Sequence, residues 1–209
     1  MAQAVKVVED VAKKAAERPG ETLERRLGNA ALAPLEQGLK KCGLERDEVR
    51  RIFVANFKAG QLSAALLQHF PLAQVISDTN KRDFHVEAAK KAIDQRWPWR
   101  HVLRLGPWND IVAQLREFDP KPFDLVVVDS QSNEVETIKR ITQLLPFVGP
   151  GTPFVVVDAL GGAAKNAKAH TRAPSQAWKR LSQFGALRTE GAVAFATPDT
   201  AHSFVILKC

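Results

Sequence analysis

Two runs of β-branched residues constrain the fold of this chain most strongly. The stretches "FDLVVVDS" (123–130) and "TPFVVVDAL" (152–160) each hold several consecutive apolar residues, without alternation of apolar and polar positions. A strand has this pattern when both of its faces are buried, as at the centre of a parallel sheet with helices on both sides. The two runs therefore predict a parallel β-sheet covered by two helical layers.

The segments around these runs alternate between strand and helix patterns. The β-rich stretches "RIFVANF", "AQVISD" and "HVLRLG" are each followed by a segment with helical periodicity. This alternation is typical of βαβ units, in which crossover helices join parallel strands. The last two β-rich stretches, "ALRTEG" into "VAFAT" and then "HSFVILKC", have no helix between them. We expect these two strands to pair antiparallel.

The length of the chain bounds its domain organisation. A chain of 209 residues is long enough for one sizeable α/β domain with its own core. Before the first predicted strand, residues 3–18 have apolar side chains at helical spacing, and a second helical region is predicted from about residue 22 to 41. We predict an N-terminal helical extension over residues 1–47 and an α/β domain over residues 48–209.

The composition is that of a globular protein, with 45% hydrophobic and 25% charged residues. No stretch approaches the eighteen consecutive apolar residues or so of a membrane span, and the N-terminus lacks the apolar core of a secretory signal. Cys42 and Cys209 lie far apart and have no metal-binding spacing. We expect a soluble intracellular protein without a membrane span, located in the cytoplasm or the mitochondrial matrix.

The formal net charge of +7 raises the question of an anionic partner. The stretch "GGAAKNAKAHTRAP" carries Lys165, Lys168 and Arg172 without any acidic residue, and its glycines and proline predict a loop. Because it follows the fifth predicted strand, we expect it at the carboxyl end of the strands, where such folds bind ligands. These cations are our candidates for nucleic-acid or partner binding. An exposed, solvated loop is an equally consistent interpretation.

From about residue 48 onward the chain resembles the class I S-adenosylmethionine (SAM)-dependent methyltransferases. The family's first strand and turn read approximately V-L-D-I-G-C-G-T-G-Y-L-S-L-A-L, and residues 52–66 read I-F-V-A-N-F-K-A-G-Q-L-S-A-A-L. The stretches "FPLAQVISDTN", "FDLVVVDSQ" and "ITQLLPFVGPGTPFVVVDA" match later blocks in order and spacing. The resemblance implies an α/β, Rossmann-like methyltransferase sheet, mostly parallel with an antiparallel terminal strand pair, preceded by N-terminal helices.

The cofactor turn of the family is altered in this chain. The acid that ends the family's first strand falls at Val54, and the first two glycines fall at Asn56 and Lys58. The third glycine is kept as Gly60, and the acid that follows the third strand falls at Pro107. Glycines at this turn allow positive φ angles and a close approach of the cofactor. The resemblance therefore implies a turn that lacks most of the acids and glycines with which the family binds its cofactor.

If SAM is bound, the resemblance implies contacts from Asn56, Gly60, Asp78, Trp108 and Asp129. Asp78 lies one residue before the gap-free match to the family's ribose-binding acid. Trp108 falls where the family contacts adenine, and its ring is large enough to fill that place itself. Asp129 ends the fourth strand, where ligands of open α/β sheets bind. A structural role for Asp129 as the cap of the next turn is equally consistent.

The carboxylates at the strand ends also raise the question of a metal. Cation-dependent members of the family place two carboxylates after the fourth and fifth strands and an asparagine beside the second. The matching residues here are Asp129, Asp158 and Ala159. Because the third ligand is missing, we predict no metal site. Ser63 and Ser130 have no paired base in the sequence, so we predict no catalytic residue either.

The stretch "RWPWR" is a second aromatic feature, with Trp97 and Trp99 between Arg96 and Arg100. Tryptophans between arginines resemble platforms on which nucleic-acid bases stack. A tryptophan-rich turn that packs onto the edge of the sheet is the alternative, and we favour it.

Two functions follow from these observations. The first is a catalytically silent methyltransferase-like subunit for which no cofactor is expected. It would act as a structural or binding module among other protein subunits of a larger assembly, either an RNA-containing or a mitochondrial complex. The second is an active SAM-dependent methyltransferase with a divergent first motif, acting on RNA or on a small hydroxyl substrate. A measurement of SAM binding separates the two.

Overall fold

A computed structural model describes residues 38–58, 60–128, 134–157, 177, 180–186, 188–196 and 203–208. Most of the predicted N-terminal extension therefore lies outside the described residues. The same is true of Asp129, Asp158 and the basic segment with Lys165, Lys168 and Arg172.

Seven strands form one sheet in the order β3-β2-β1-β4-β5-β7-β6. They are β1 (Arg51–Ala55), β2 (Gln74–Thr79), β3 (His101–Leu105), β4 (Leu125–Val128), β5 (Pro153–Val157), β6 (Arg188–Ala196) and β7 (Ser203–Lys208). Strands β1 to β5 run parallel, and Phe53 of β1 lies opposite Ile76 and Val126. The chain moves outward from β1 to β3 and then returns to β4 on the other side of β1. The carboxyl ends of β1 and β4 therefore mark the point where the strand order reverses, which is where such sheets bind ligands.

The last two strands complete the sheet in the antiparallel sense. Strand β7 lies between β5 and β6 and is antiparallel to both, with Val155 opposite Ile206 and Ala194 opposite Val205. The pairing of β6 with β7 is irregular between Arg188 and Val193. The final strand thus enters the sheet beside a buried parallel strand, and β6 takes the edge position.

The helices that connect the five parallel strands cover the two faces of the sheet. They are α1 (Gln61–His69), α2 (Phe84–Arg96), α3 (Trp108–Phe118) and α4 (Glu134–Leu144), and a 3-10 turn (Leu145–Phe147) follows α4. Helices α1 and α2 pack on one buried cluster, and α3 and α4 pack on the other. Adjacent residues of β4 contribute to different clusters, since Val127 belongs to the first and Val126 to the second. The prediction that this run is buried on both faces is confirmed.

The sequence sets where these helices begin. Helix α2 starts after Asp83, whose carboxylate accepts a hydrogen bond from the N–H of Val86 at 3.0 Å, as an N-cap residue does. Helix α3 starts directly after Pro107, and α1 starts after Gly60. Among the residues described, no helix is both long and apolar enough to cross a membrane.

Candidate functional site

The turn between β1 and α1 has an unusual backbone. Asn56, Lys58 and Gly60 all have positive φ angles, of 82°, 49° and 72°. These are the three positions at which the family motif has glycine. Asparagine tolerates this conformation better than most residues, whereas a lysine there costs about 1–2 kcal/mol. Asn56 and Lys58 thus have the backbone conformation for which glycine is usually needed.

Phe57 holds this turn against the sheet. Its N–H donates to the carbonyl oxygen of Asp78 at 2.7 Å, and its buried ring stacks on His101 with the ring centroids 5.3 Å apart. A Cβ atom at Gly60 would lie 2.7 Å from Cζ of Phe57 and 3.0 Å from Cδ1 of Ile93. The remaining glycine is therefore required both by its φ angle and by the lack of space around it.

The carboxylate of Asp78 lies beneath the turn and is almost fully buried. Its Oδ1 accepts a hydrogen bond from the N–H of Asn56 at 2.7 Å, and its Oδ2 accepts one from Nη1 of Arg140 at 3.0 Å. Burial raises the pKa of Asp78, against the opposing effects of the Arg140 charge and the Asn56 N–H. Both oxygens of the predicted ribose-binding acid are thus engaged within the protein.

Arg140 joins this carboxylate to the predicted adenine-contacting residue. Its guanidinium carbon lies 4.6 Å from the centroid of the Trp108 ring, and its Nε donates to Glu136 at 3.2 Å. The Trp108 ring is buried, and its Nε1 donates to Oε1 of Gln143 at 2.6 Å. We call Asp78, Trp108 and Arg140 the Arg140 cluster.

Four of the predicted site residues lie at the carboxyl ends of the parallel strands. Asn56 and Gly60 form the turn, Asp78 lies near the end of β2, and Trp108 opens α3. The fifth, Asp129, lies outside the described residues. Sequence reasoning missed Arg140, which lies on an amphipathic helix with no local feature to distinguish it.

Comparisons with known proteins identify the architecture. No protein-family profile and no curated protein matches the chain, but many solved structures do. Cofactor-bound Rv0187 from MTB is 20% identical, with 99% of this chain and 89% of that chain covered and a TM-score of 0.66. An O-methyltransferase from Bacillus cereus in complex with SAH is 14% identical, with coverages of 99% and 90% and a TM-score of 0.67.

A third match is the O-methyltransferase TomG from Streptomyces achromogenes, involved in tomaymycin synthesis and solved with SAM. It is 20% identical, with 94% of this chain and 88% of that chain covered and a TM-score of 0.62. The chain has the class I methyltransferase fold. The Rossmann-like sheet predicted from the sequence is confirmed, whereas most of the predicted N-terminal helices lie outside the described residues. Identities this low carry no further property from these proteins to this one.

Within this methyltransferase fold, the described residues do not fit SAM in the family's manner. Val54, at the position of the first family acid, is fully buried in the apolar cluster under α1. Pro107, at the position of the adenine-contacting acid, has no side-chain hydrogen-bonding group. The remaining acid, Asp78, is buried and bonded to Arg140.

A second polar group lies on the other face of the methyltransferase sheet. The Oγ atoms of Ser63 and Ser77 are 2.8 Å apart, and Oγ of Ser77 lies 3.2 Å from Nε2 of His101. All three residues are buried. Burial lowers the pKa of His101 to about 4, with a further lowering by Lys90 that Asp94 opposes. The imidazole is therefore neutral near pH 7, and the chain of hydrogen bonds ties α1, β2 and β3 together.

In the part of the chain that the structure describes, no group of three or more His, Cys, Asp or Glu residues could hold a metal ion. The carboxylates weighed for a metal, Asp129 and Asp158, lie outside that part. The sequence-based prediction of no metal site therefore stays a prediction.

Proposed function

We propose that this chain is a non-catalytic binding module with a methyltransferase fold, and that it does not use SAM as a methyl donor. The Arg140 cluster carries the proposal. The carboxylate that would accept hydrogen bonds from a ribose is buried and bonded to Arg140, and the guanidinium lies over the ring that would face an adenine. A ribose that bonds to Asp78 has to reach a buried carboxylate and compete with Arg140 for it.

The energetic cost of displacing Arg140 supports the proposal. Separating the partners of a buried ion pair costs about 3–5 kcal/mol. A micromolar ligand binds with about −8 kcal/mol. Each 1.4 kcal/mol lost weakens binding about tenfold. A cofactor that has to separate Asp78 from Arg140 would therefore bind in the millimolar rather than the micromolar range.

Charge supports the proposal in the same direction. SAM carries a positive sulfonium group, which a nearby carboxylate attracts and a nearby cation repels. The chain has Val54 and Pro107 where the family has acids, and it has Lys58 where the family has glycine. Each of these replacements weakens the binding of a cationic cofactor.

An active SAM-dependent methyltransferase is the second candidate, and one observation favours it. The turn keeps positive φ angles at Asn56, Lys58 and Gly60, so the backbone has the conformation of a cofactor turn. Similar folds include proteins solved with SAM or SAH. On this alternative the substrate is RNA or a small hydroxyl compound.

A thermal-shift titration tests the proposal on the whole chain. A ligand that binds only the folded state raises its stability by about 2.7 kcal/mol at a hundredfold excess over Kd. We expect neither SAM nor SAH to raise the melting temperature at concentrations that do so for TomG, which serves as the positive control. A rise comparable to that of TomG would favour the second candidate.

The partner of the module is also a proposal. Other protein subunits or RNA are the partners that we infer, with contacts from Lys165, Lys168 and Arg172. The concentration of cations without acids in this segment supports phosphate contacts.

A further inference from the structure

An exposed aromatic surface lies at the amino ends of the parallel strands, opposite to the Arg140 cluster at their carboxyl ends. Here the connections α1–β2 and α2–β3 lie side by side, since the N–H of Val75 donates to the carbonyl of Arg100 at 2.8 Å. Trp99 is 92% exposed and Leu72 is 55% exposed. The two prolines that precede them are exposed as well. We call Pro71, Leu72, Pro98 and Trp99 the Trp99 surface.

The exposure of Trp99 does not come from a loosely held loop. Arg100 donates from Nε to the carbonyl of Ala73 at 3.0 Å and from Nη2 to the carbonyls of Leu67 and Phe70 at 3.1 and 2.6 Å. On the other side of the turn, Trp97 packs against the hydrophobic core. The backbone on both sides of Trp99 is therefore fixed.

The expectation that both tryptophans pack onto the sheet edge holds for Trp97 and is wrong for Trp99. Trp99 also has a φ angle of 65°, a left-handed conformation that is strained for a large side chain. A rigid turn thus keeps an aromatic ring in solvent at a conformational cost. Strain of this kind at an exposed residue is found at sites of recognition more often than elsewhere.

The charges around the Trp99 surface identify its ligand. Arg96 is exposed, and its guanidinium lies 4.8 Å from the Trp97 ring. Arg46 is also exposed, and its Nε donates to the carbonyl of His69, three residues before Leu72. Neither connecting stretch, "FPLAQ" nor "WPWR", contains a carboxylate. An exposed ring on a turn without carboxylates, with exposed arginines on neighbouring segments, has the features of a platform for unpaired bases, where the ring stacks on a base and the cations contact phosphates.

We propose that the Trp99 surface binds single-stranded nucleic acid, with a base stacked on Trp99 and phosphates on Arg46 and Arg96. A protein partner would be favoured by a broader apolar surface with charges of both signs at its rim. The two turns instead contain no acid and the chain has a net charge of +7, and the acids nearest in sequence to Arg46 (Glu45, Asp47 and Glu48) belong to a different segment. This inference does not depend on whether the chain binds SAM, because the two sites lie at opposite edges of the sheet.

Fluorescence anisotropy with a labelled oligouridylate of about ten nucleotides, a length within the usual site sizes, tests the proposal on the full chain. We expect Trp99→Ala to weaken binding by about tenfold or more, because stacking of one base on an aromatic ring contributes a factor of this order. Trp99→Phe should retain most of the affinity. Phe84→Ala is the matched control, since Phe84 is 58% exposed at the start of α2, near the other edge of the sheet. It should bind like the wild type.

A salt series separates stacking from phosphate contacts. The double variant Arg46→Ala/Arg96→Ala should reduce the slope of log affinity against log salt by about 1.4, or about 0.7 for each phosphate contact to a single strand. Trp99→Ala should leave the slope unchanged. The proposal is overturned if the wild type does not bind the oligonucleotide, or if Trp99→Ala binds it as tightly as the wild type does. It is also overturned if Trp99→Ala instead abolishes a self-association seen by sedimentation, because the surface would then be a protein contact.

Discussion

At the scale of single residues, the proposed function rests on the contacts of Arg140. Its guanidinium pairs with Asp78 on one side and lies over Trp108 on the other. The sequence predicts Asp78 and Trp108 as site residues from their positions at or after recognisable strands. It was not sufficient to predict Arg140, since 62 residues separate it from Asp78 and only the packing of α4 on the sheet brings the two together.

Removal of Arg140 is expected to destabilise the fold. In Arg140→Ala the buried carboxylate of Asp78 is left without its cation, and we expect the free energy of unfolding in urea at pH 7 to fall by about 3–5 kcal/mol. The double variant Asp78→Asn/Arg140→Ala removes both charges and should recover part of this decrease. A decrease below about 0.5 kcal/mol in Arg140→Ala, the range of ordinary surface substitutions, would contradict the burial of this pair.

His101 gives the stability a defined pH dependence. Its pKa is about 4 in the folded protein and about 6.5 when unfolded, so between these values the unfolded chain binds more protons. The contribution of His101 to stability is therefore full above about pH 6.5 and decreases as the pH falls toward 4, by about 3 kcal/mol. The raised pKa of Asp78 acts in the opposite direction, since its charged form is the one that burial penalises.

Comparison with His101→Gln isolates the histidine, because other titrating groups contribute to both proteins. We expect the stability of the wild type to fall by about 3 kcal/mol relative to the variant between pH 7 and pH 4, measured by urea denaturation. Parallel pH profiles for the two proteins would show that the imidazole is not buried in its neutral form.

At the scale of elements, the β1–α1 turn shows why its backbone and its chemistry have to be considered separately. The match to the family motif predicted the position of the turn correctly. Because Asn56 and Lys58 are not glycine, it also predicted that the turn lacks features needed to bind a cofactor. The structure shows positive φ angles at both positions. The sequence shows which chemical groups the turn can offer to a ligand. The backbone conformation of the turn depends instead on the strand and helix that it joins, and on contacts such as the hydrogen bond from Phe57 to Asp78.

Gly60 provides the test at this scale. We expect Gly60→Ala to destabilise the protein by about 2–4 kcal/mol, because it combines a positive φ angle with a Cβ placed 2.7 Å from Cζ of Phe57. Gly43→Ala is the matched control. Gly43 has a φ angle of 78° and no atom within 4 Å of an added Cβ, so its substitution should cost only about 1 kcal/mol. Equal costs at the two positions in urea denaturation would contradict the close packing of Phe57 under the turn.

At the scale of the whole molecule, the order of the strands and helices was predictable from the sequence. The side-chain arrangements at the two ends of the parallel strands were not. The runs in β4 and β5 predicted central strands because burial on both faces leaves a continuous apolar pattern. Apolar patterns of this kind tolerate extensive substitution. This tolerance explains how the fold matches solved structures at 14–20% identity while no family profile matches the sequence. Exposure and side-chain pairing do not follow from such patterns, so the exposure of Trp99 and the bond between Asp78 and Arg140 required a structure.

The basic segment with Lys165, Lys168 and Arg172 is expected to affect RNA binding but not stability. Lys165, Lys168 and Arg172 lie among small residues with little apolar surface to bury. We expect the triple alanine variant to change stability by less than about 1 kcal/mol. If the segment binds the phosphates of a structured RNA, the slope of log affinity against log salt should fall by about one unit for each phosphate that is no longer neutralised. Identical slopes for the wild type and the variant would exclude the segment from RNA binding.

In the proposed function, the buried Asp78–Arg140 ion pair prevents nucleoside binding by this methyltransferase fold. Isothermal titration calorimetry of the full chain with SAM measures this most directly. We predict a dissociation constant in the millimolar range or weaker, because a ribose that bonds to Asp78 has to compete with Arg140 for a buried carboxylate. A micromolar dissociation constant, which corresponds to about −8 kcal/mol, would contradict the claim and establish the chain as a SAM-binding protein.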